Sequence, residues 1–257
     1  MCDLSNKFGL IVGVANKRSI SWAIAQAAQA SGARLALTYP SQRLEENVRE
    51  LAATLENALV LPCDVSSDDQ IAALADSLDR EFGGLDFLLH GAAFAPASEL
   101  DNPFLQTSRE GFRIAHDVSA YSLVALTRAV APLMEKRGGG TVLTLTYLGS
   151  QRVFPGYNVM GVAKAALESS VRYLAAELGA RNVRVNAISA GPIKTLAAAG
   201  ISGFSEIRKT YPERAPLRRN VELAEVADAA MFLLSAASRA VTGEILHVDA
   251  GYHITGI

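Results

Sequence analysis

Short uninterrupted apolar runs alternate with segments of helical spacing along the whole chain, and this alternation constrains the fold more than any other feature. Residues 8–14 read Phe-Gly-Leu-Ile-Val-Gly-Val, the kind of run that becomes a strand buried on both faces. A small-residue turn follows, then Ile20, Ala23, Ile24, Ala27 and Ala28 at helical spacing, stopped by Ser31-Gly32. The same unit recurs. Strands are predicted at 34–39, 58–63, 85–90, 141–147, 183–189 and 244–248, with helices over about 41–54, 68–82, 109–136, from Tyr157 onward, and over about 223–236. Residues 191–219 are predicted to be irregular. Seven strands joined by helical crossovers require a largely parallel sheet with helices on both faces. The expectation is α/β: a single doubly wound, Rossmann-type domain spanning residues 1–257, with a seven-stranded, mainly parallel sheet. Two boundaries carry local chemistry, a capping box at Ser67-x-x-Gln70 and a break at Gly138-Gly139-Gly140.

Composition narrows the class of partner. The formal charge is −2, with acidic and basic residues interspersed, so neither a basic face for nucleic acid nor an acidic tail is present, and a small-molecule ligand is expected. Cys2 and Cys63 spell out no disulfide framework and no metal site. The first residues lack the pattern of a signal peptide, and no run approaches the length of a membrane span. A cytoplasmic protein without membrane contact is expected.

The chemistry concentrates where the apolar run 141–146 ends, crosses Pro155-Gly156 and enters the Tyr157 helix. In a parallel sheet, ligands bind at the carboxyl edge of the strands. Lys164 lies seven residues after Tyr157, nearly two helical turns along one face, and its stem leans back toward the helix start. A phenol beside an ammonium is a proton donor whose anion is stabilised. A second set of residues suits a dinucleotide. After the first strand, Gly13 lets backbone approach a ligand, Ala15 keeps the approach open, Ser19 can cap the next helix and donate to phosphate, and Ile20 opens that helix. Asp64-Val65 ends the third strand with a carboxylate suited to an adenine amino group, and Gly91-Ala92-Ala93 ends the fourth with small residues. The second strand ends in Tyr39-Pro40-Ser41-Gln42-Arg43, without the acid that grips a ribose 2′-hydroxyl, so both NADH and NADPH remain open.

With these pieces in place the chain resembles the short-chain dehydrogenase/reductase superfamily, and within it the NAD(P)H-dependent enoyl-acyl-carrier-protein reductases. The resemblance rests on Gly13-x5-Ser19-Ile20, residues 90–96, Tyr157-x6-Lys164, residues 186–195 and residues 247–251. Carbonyl reductases of the superfamily carry Tyr-x3-Lys, which would place the tyrosine at Met160, and a serine where this chain has Tyr147. The resemblance implies conjugate reduction of a trans-2-enoyl thioester, with NADH as cofactor and NADPH possible, the last step of type II fatty acid elongation. It implies that Tyr157 hydrogen-bonds the thioester oxygen, that Lys164 holds the nicotinamide ribose, and that Tyr147 forms pocket wall with an acid role behind it. By the same resemblance, Ile193 pairs with the carboxamide and Thr195 joins the cofactor site. A substrate-binding loop covers about 195–210, and Ala93, Tyr147, Tyr157, Met160, Ala197 and Phe204 line the acyl slot. Acyl carrier protein is the implied partner, docked by Arg208 and Lys209, and a homotetramer the implied assembly. The rival readings are a ketone or aldehyde reductase, and a dinucleotide-binding regulator without turnover.

Overall fold

The computed structural model describes residues 2–195 and 203–255. Seven strands, β1 (Phe8–Val12), β2 (Arg34–Tyr39), β3 (Leu59–Pro62), β4 (Phe87–His90), β5 (Gly140–Thr146), β6 (Val183–Ala190) and β7 (Ile245–Val248), form one sheet in the order 3-2-1-4-5-6-7. Every neighbouring pair is parallel. The helices are α1 (Ile20–Ala30), α2 (Gln42–Ala52), α3 (Asp68–Phe82), α4 (Ala97–Asp101), α5 (Arg109–His116), α6 (Ser122–Lys136), α7 (Asn158–Leu178), α8 (Phe204–Arg214) and α9 (Leu223–Leu234).

Pleating sends successive strand residues to opposite faces, and both faces are covered. Ile11, Leu37, Phe87, Leu89, Leu143 and Ile188 pack with α1 and α9 in one core. Leu10, Val12, Leu88, Val142, Val185 and Ala187 pack with α3, α6 and α7 in the other. The chain winds one way from β1 to β2 and β3, and the other way from β1 through β4 to β7. The crevice at the carboxyl ends of β1 and β4 is therefore the topological switch point, where ligands of such sheets bind.

Several local expectations change. The helix predicted over 109–136 is two helices separated by a π-helical turn at Asp117–Tyr121, one wide turn that 3.6-residue spacing cannot reveal. Residues 191–219 hold α8, which buries only Tyr211. The Ser67 side chain accepts from the Gln70 amide at 3.3 Å, but the Gln70 carboxamide oxygen accepts from the Asp64 amide at 2.8 Å, so only half of the capping box forms. Gly138 and Gly139 adopt positive φ values of 81° and 131°, the left-handed break that ends α6. Among the described residues no helix is long and apolar enough to cross a membrane, and both cysteines are free thiols.

Candidate active site

Two glycines build the floor at the switch point. The Gly91 amide donates to the Val12 carbonyl at 3.0 Å, which brings the ends of β1 and β4 together. Gly13 has φ of 95°, and a Cβ there would sit 2.3 Å from the Gly91 oxygen; a Cβ on Gly91 would sit 2.1 Å from Ser21 Oγ. Glycine is therefore required twice, by conformation at one position and by space at both. The result is a backbone cradle at the start of α1, whose first-turn amides and dipole favour a phosphate group, so these residues fit a dinucleotide. Ser19 behaves differently from the expectation. Its Oγ accepts from the Ala15 and Asn16 amides at 3.0 and 3.1 Å and makes no cap bond to α1. The hydroxyl oxygen braces the turn itself, leaving its proton as the group available to a ligand. Ala15 and Ile20 flank this turn, half-buried.

Along the same edge, the Asp64 carboxylate accepts from the Ser66 amide at 3.0 Å and the Ser66 hydroxyl at 2.7 Å. That is an Asx turn entering α3, so part of its acceptor capacity is used before any ligand arrives. Val65 is buried behind it, Ala92 is half-buried and Ala93 exposed. Ile193, buried, follows β6, and the Thr195 amide donates to its carbonyl at 2.9 Å. Ala197 lies outside the described residues. Phe204 opens α8, so the region expected to be a loop over 195–210 is helical from Phe204 onward.

Tyr157 occupies the N-cap of α7 and is buried, as is Lys164 inside the helix. Burial of a lysine needs a partner, and the Lys164 ammonium donates to the Leu145 carbonyl at the end of β5, at 2.8 Å. Burial pulls its pKa down to about 8, with Glu168 opposing the shift. Burial, reinforced by Tyr147 and Glu168, pushes the Tyr157 phenol above the ordinary tyrosine range, and burial and Tyr252 do the same for Tyr147. Both phenols thus remain hydrogen-bond donors at neutral pH. The rings of Tyr147 and Tyr157 meet edge to face, 5.1 Å between centroids at 75°, a favoured aromatic geometry. His90 is buried, with Nδ1 2.8 Å from Thr144 Oγ1 and Nε2 2.8 Å from Ser122 Oγ. Because Ser122 donates its own proton to the Val118 carbonyl at 2.6 Å, it accepts from His90 Nε2–H. Burial and then Lys164 lower the His90 pKa to about 3, so this imidazole is a neutral brace between β4, β5 and α6.

A family model described as Enoyl-(Acyl carrier protein) reductase matches residues 13–253. The chain belongs to that family. The enoyl-(acyl carrier protein) reductase (NADH) FabI of Bacillus subtilis is 52% identical over 248 residues, covering 96% of this chain and 95% of that one. Its counterpart of the same name in Nostoc sp. is 50% identical, with complete coverage of both chains. Among solved structures, the Bacillus cereus enoyl-acyl carrier protein reductase, crystallised with NADP+ and an indole naphthyridinone, superposes with a TM-score of 0.97 at 50% identity over the full length of both chains.

Some residues of this site are absent from the sequence-based expectations. An aromatic chain extends from Tyr147 to Phe154 (4.9 Å), to Tyr252 (6.4 Å) and to Tyr211 (4.3 Å), and Tyr211 donates to the Asp249 carbonyl at 2.8 Å. These side chains come from three separate segments, the β5–α7 connection, α8 and the turn after β7, so spacing cannot link them. Met160 is buried, with the Ser119 hydroxyl 3.6 Å from its sulfur. Ser119 comes from the π turn and also accepts from the Phe94 amide at 2.9 Å, a role that a regular helix would deny it. Glu168, one turn beyond Lys164 on α7, is absent from the sequence-based expectations because its partners Thr146 and Ser150 lie on the preceding segment.

Proposed function

We propose that this enoyl-(acyl carrier protein) reductase takes hydride from NADH, with NADPH as the second candidate, to reduce the trans-2 double bond of enoyl thioesters on acyl carrier protein. This is the last step of the type II fatty acid elongation cycle. The observation that carries the residue assignment is the burial of Tyr157 and Lys164 on one ridge of α7 at the carboxyl edge of the sheet, with Tyr147 packed edge to face against Tyr157.

Gly13, Ala15, Ser19, Ile20, Asp64, Val65, Gly91, Ala92, Lys164, Ile193 and Thr195 would hold the dinucleotide, which supplies the hydride when bound. Hydride added at C3 leaves negative charge on the thioester oxygen of the substrate as an enolate, and C2 then takes up a proton to complete the reduction. Tyr157, kept protonated by burial, donates to that oxygen, a contact that strengthens as the charge grows and contributes roughly 3 kcal/mol to the barrier reduction. Lys164 holds the nicotinamide ribose and keeps positive charge within the buried site. Tyr147 serves as pocket wall, with Ala93, Met160, Ala197 and Phe204 along the acyl chain. Arg208 and Lys209 on α8 offer positive charge to the acidic carrier protein.

The whole chain is proposed to act as one domain in the cytoplasm. Phe112, Tyr121, Val162 and Tyr173, on or between α5, α6 and α7, are 42%, 45%, 38% and 77% exposed, apolar surface available for contact with further copies. Sedimentation is expected to report a homotetramer; a mass of one chain would exclude it. The activity is tested by following cofactor oxidation with a crotonyl thioester. NADH or NADPH is expected to be consumed with the enoyl thioester and not with simple ketones. Ketone reduction without enoyl reduction would favour the carbonyl-reductase reading.

A further inference from the structure

Glu168 is a buried carboxylate that the mechanism above leaves unused, and its surroundings are specific. Its Oε1 accepts from the Thr146 hydroxyl at 2.7 Å and from the Ser150 hydroxyl at 2.6 Å. One turn earlier on α7, Lys164 holds the Leu145 carbonyl at 2.8 Å. The helix therefore grips the end of β5 at two consecutive residues, and the following turn at Ser150. Tyr147 lies inside the gripped segment. So does Gly149, where a Cβ would come within 2.4 Å of the Tyr157 ring and 3.1 Å of the Tyr147 ring. On the other side of the contact, a Cβ on Gly161 would meet the Gly149 carbonyl at 2.7 Å. There is no slack between this turn and α7, so its position sets the position of both phenols.

Resting on the assignment of Tyr157 and Lys164 to the thioester and the ribose, we infer that Glu168 is a positioning residue for the reduction. It clamps the Thr146–Ser150 turn so that Tyr147 and Tyr157 hold their edge-to-face arrangement, and it supplies the negative charge nearest to Lys164 along α7. The titratable groups electrostatically coupled here are Tyr157, Lys164 and Glu168 on α7, Tyr147 beyond β5, His90 on β4 and His247 on β7, with Tyr252 reaching Tyr147 and with His253, Asp249 and Glu244 reaching His247. His90 is neutral at working pH, and burial, aided by the neighbouring His253, lowers the His247 pKa. Glu168 is then the anion that offsets the cost of burying the Lys164 ammonium.

The two roles separate in two variants of the full chain. Glu168→Gln keeps an oxygen for both hydroxyls but removes the charge; Glu168→Ala removes both. NADH affinity is measured by cofactor fluorescence across pH, beside kcat and KM for a crotonyl thioester and the thermal midpoint. Glu168→Gln is expected to bind NADH at pH 6.5 within about twofold of wild type, and to lose affinity at a pH at least about half a unit lower, because the ammonium gives up its proton sooner. Glu168→Ala is expected to lower kcat by about tenfold or more with a smaller change in KM. Should it fail to fold, Ser150→Ala, which removes one arm of the clamp, is expected to lower kcat by about threefold. Coincident pH profiles for wild type and Glu168→Gln, or full kcat in Glu168→Ala, would overturn the inference. A wild-type protein that binds NADH but reduces no enoyl thioester would instead overturn the assigned reaction, and the NADH-binding profile would still decide the role of Glu168.

Discussion

Tyr157→Phe is expected to lower kcat on an enoyl thioester by roughly a hundredfold to a thousandfold while leaving the NADH dissociation constant within about twofold of wild type. The change removes one oxygen and keeps the ring. The ring is what the surroundings fix: Tyr147 packs against it edge to face at 5.1 Å, and Gly149 is so close that a Cβ there would meet the ring at 2.4 Å. The fold should therefore survive, and the loss should fall on the one interaction that strengthens as the thioester oxygen gains charge. An interaction of that kind acts on the transition state more than on the bound substrate, so kcat and kcat/KM are expected to fall together. Burial pushes the phenol above the ordinary tyrosine range, so it remains a donor throughout neutral pH and should add no limb to the rate profile there. A Tyr157→Phe enzyme within threefold of wild-type kcat would remove the phenol from the mechanism.

The sequence made the scaffold more legible than the site, for physical reasons visible in particular residues. A strand covered on both faces must be apolar at successive positions, and Leu10-Ile11-Val12, which feed opposite cores, show it. Likewise α3 runs over Asp68–Phe82 as its spacing predicts. By contrast α8 carries Glu206, Arg208, Lys209, Glu213 and Arg214 around one buried anchor, Tyr211, and contains Pro212; so little apolar periodicity does not announce a helix. The π turn is a single extra residue in the winding, yet it delivers Ser119 to Phe94 and to Met160. Among the candidate site residues, the close backbone approach at Gly13 and Gly91 and the placement of Tyr157 and Lys164 on α7 were legible because backbone approach and helical spacing are local properties. Ser19 was legible as a turn residue but not in its bonding, since a hydroxyl four residues from the Ala15 amide can fold back as readily as it can cap. Glu168 and the Tyr147–Phe154–Tyr252–Tyr211 chain depend on segments far apart in sequence, and only the folded geometry brings them together.

Replacing Lys164 by Met should sharply weaken cofactor binding without unfolding the protein, and the separation of these two effects is the informative part. The ammonium donates one hydrogen to the Leu145 carbonyl, which leaves two for ribose hydroxyls; charge-assisted bonds of this kind are each worth roughly 1.5–3 kcal/mol. Losing both is expected to weaken NADH at least about a hundredfold, and kcat/KM by more, since the positive charge near the developing oxyanion goes with them. Stability responds with the opposite sign. The folded-state pKa, about 8, lies below the ordinary lysine value of 10.5, so folding disfavours the charged form by roughly 3 kcal/mol. That penalty is fully present below pH 8 and is relieved as pH rises toward the unfolded value. A methionine at this position escapes it but leaves the Leu145 carbonyl without its donor, a loss of similar size. The thermal midpoint at pH 7 should accordingly stay within a few degrees of wild type. In the wild-type protein the same proton governs binding: NADH affinity should hold below about pH 8 and decline above it as the ammonium is lost, whereas the weak residual affinity of Lys164→Met should show no such step. Tight binding by the variant, or a wild-type affinity that is flat through pH 9, would remove Lys164 from the cofactor site.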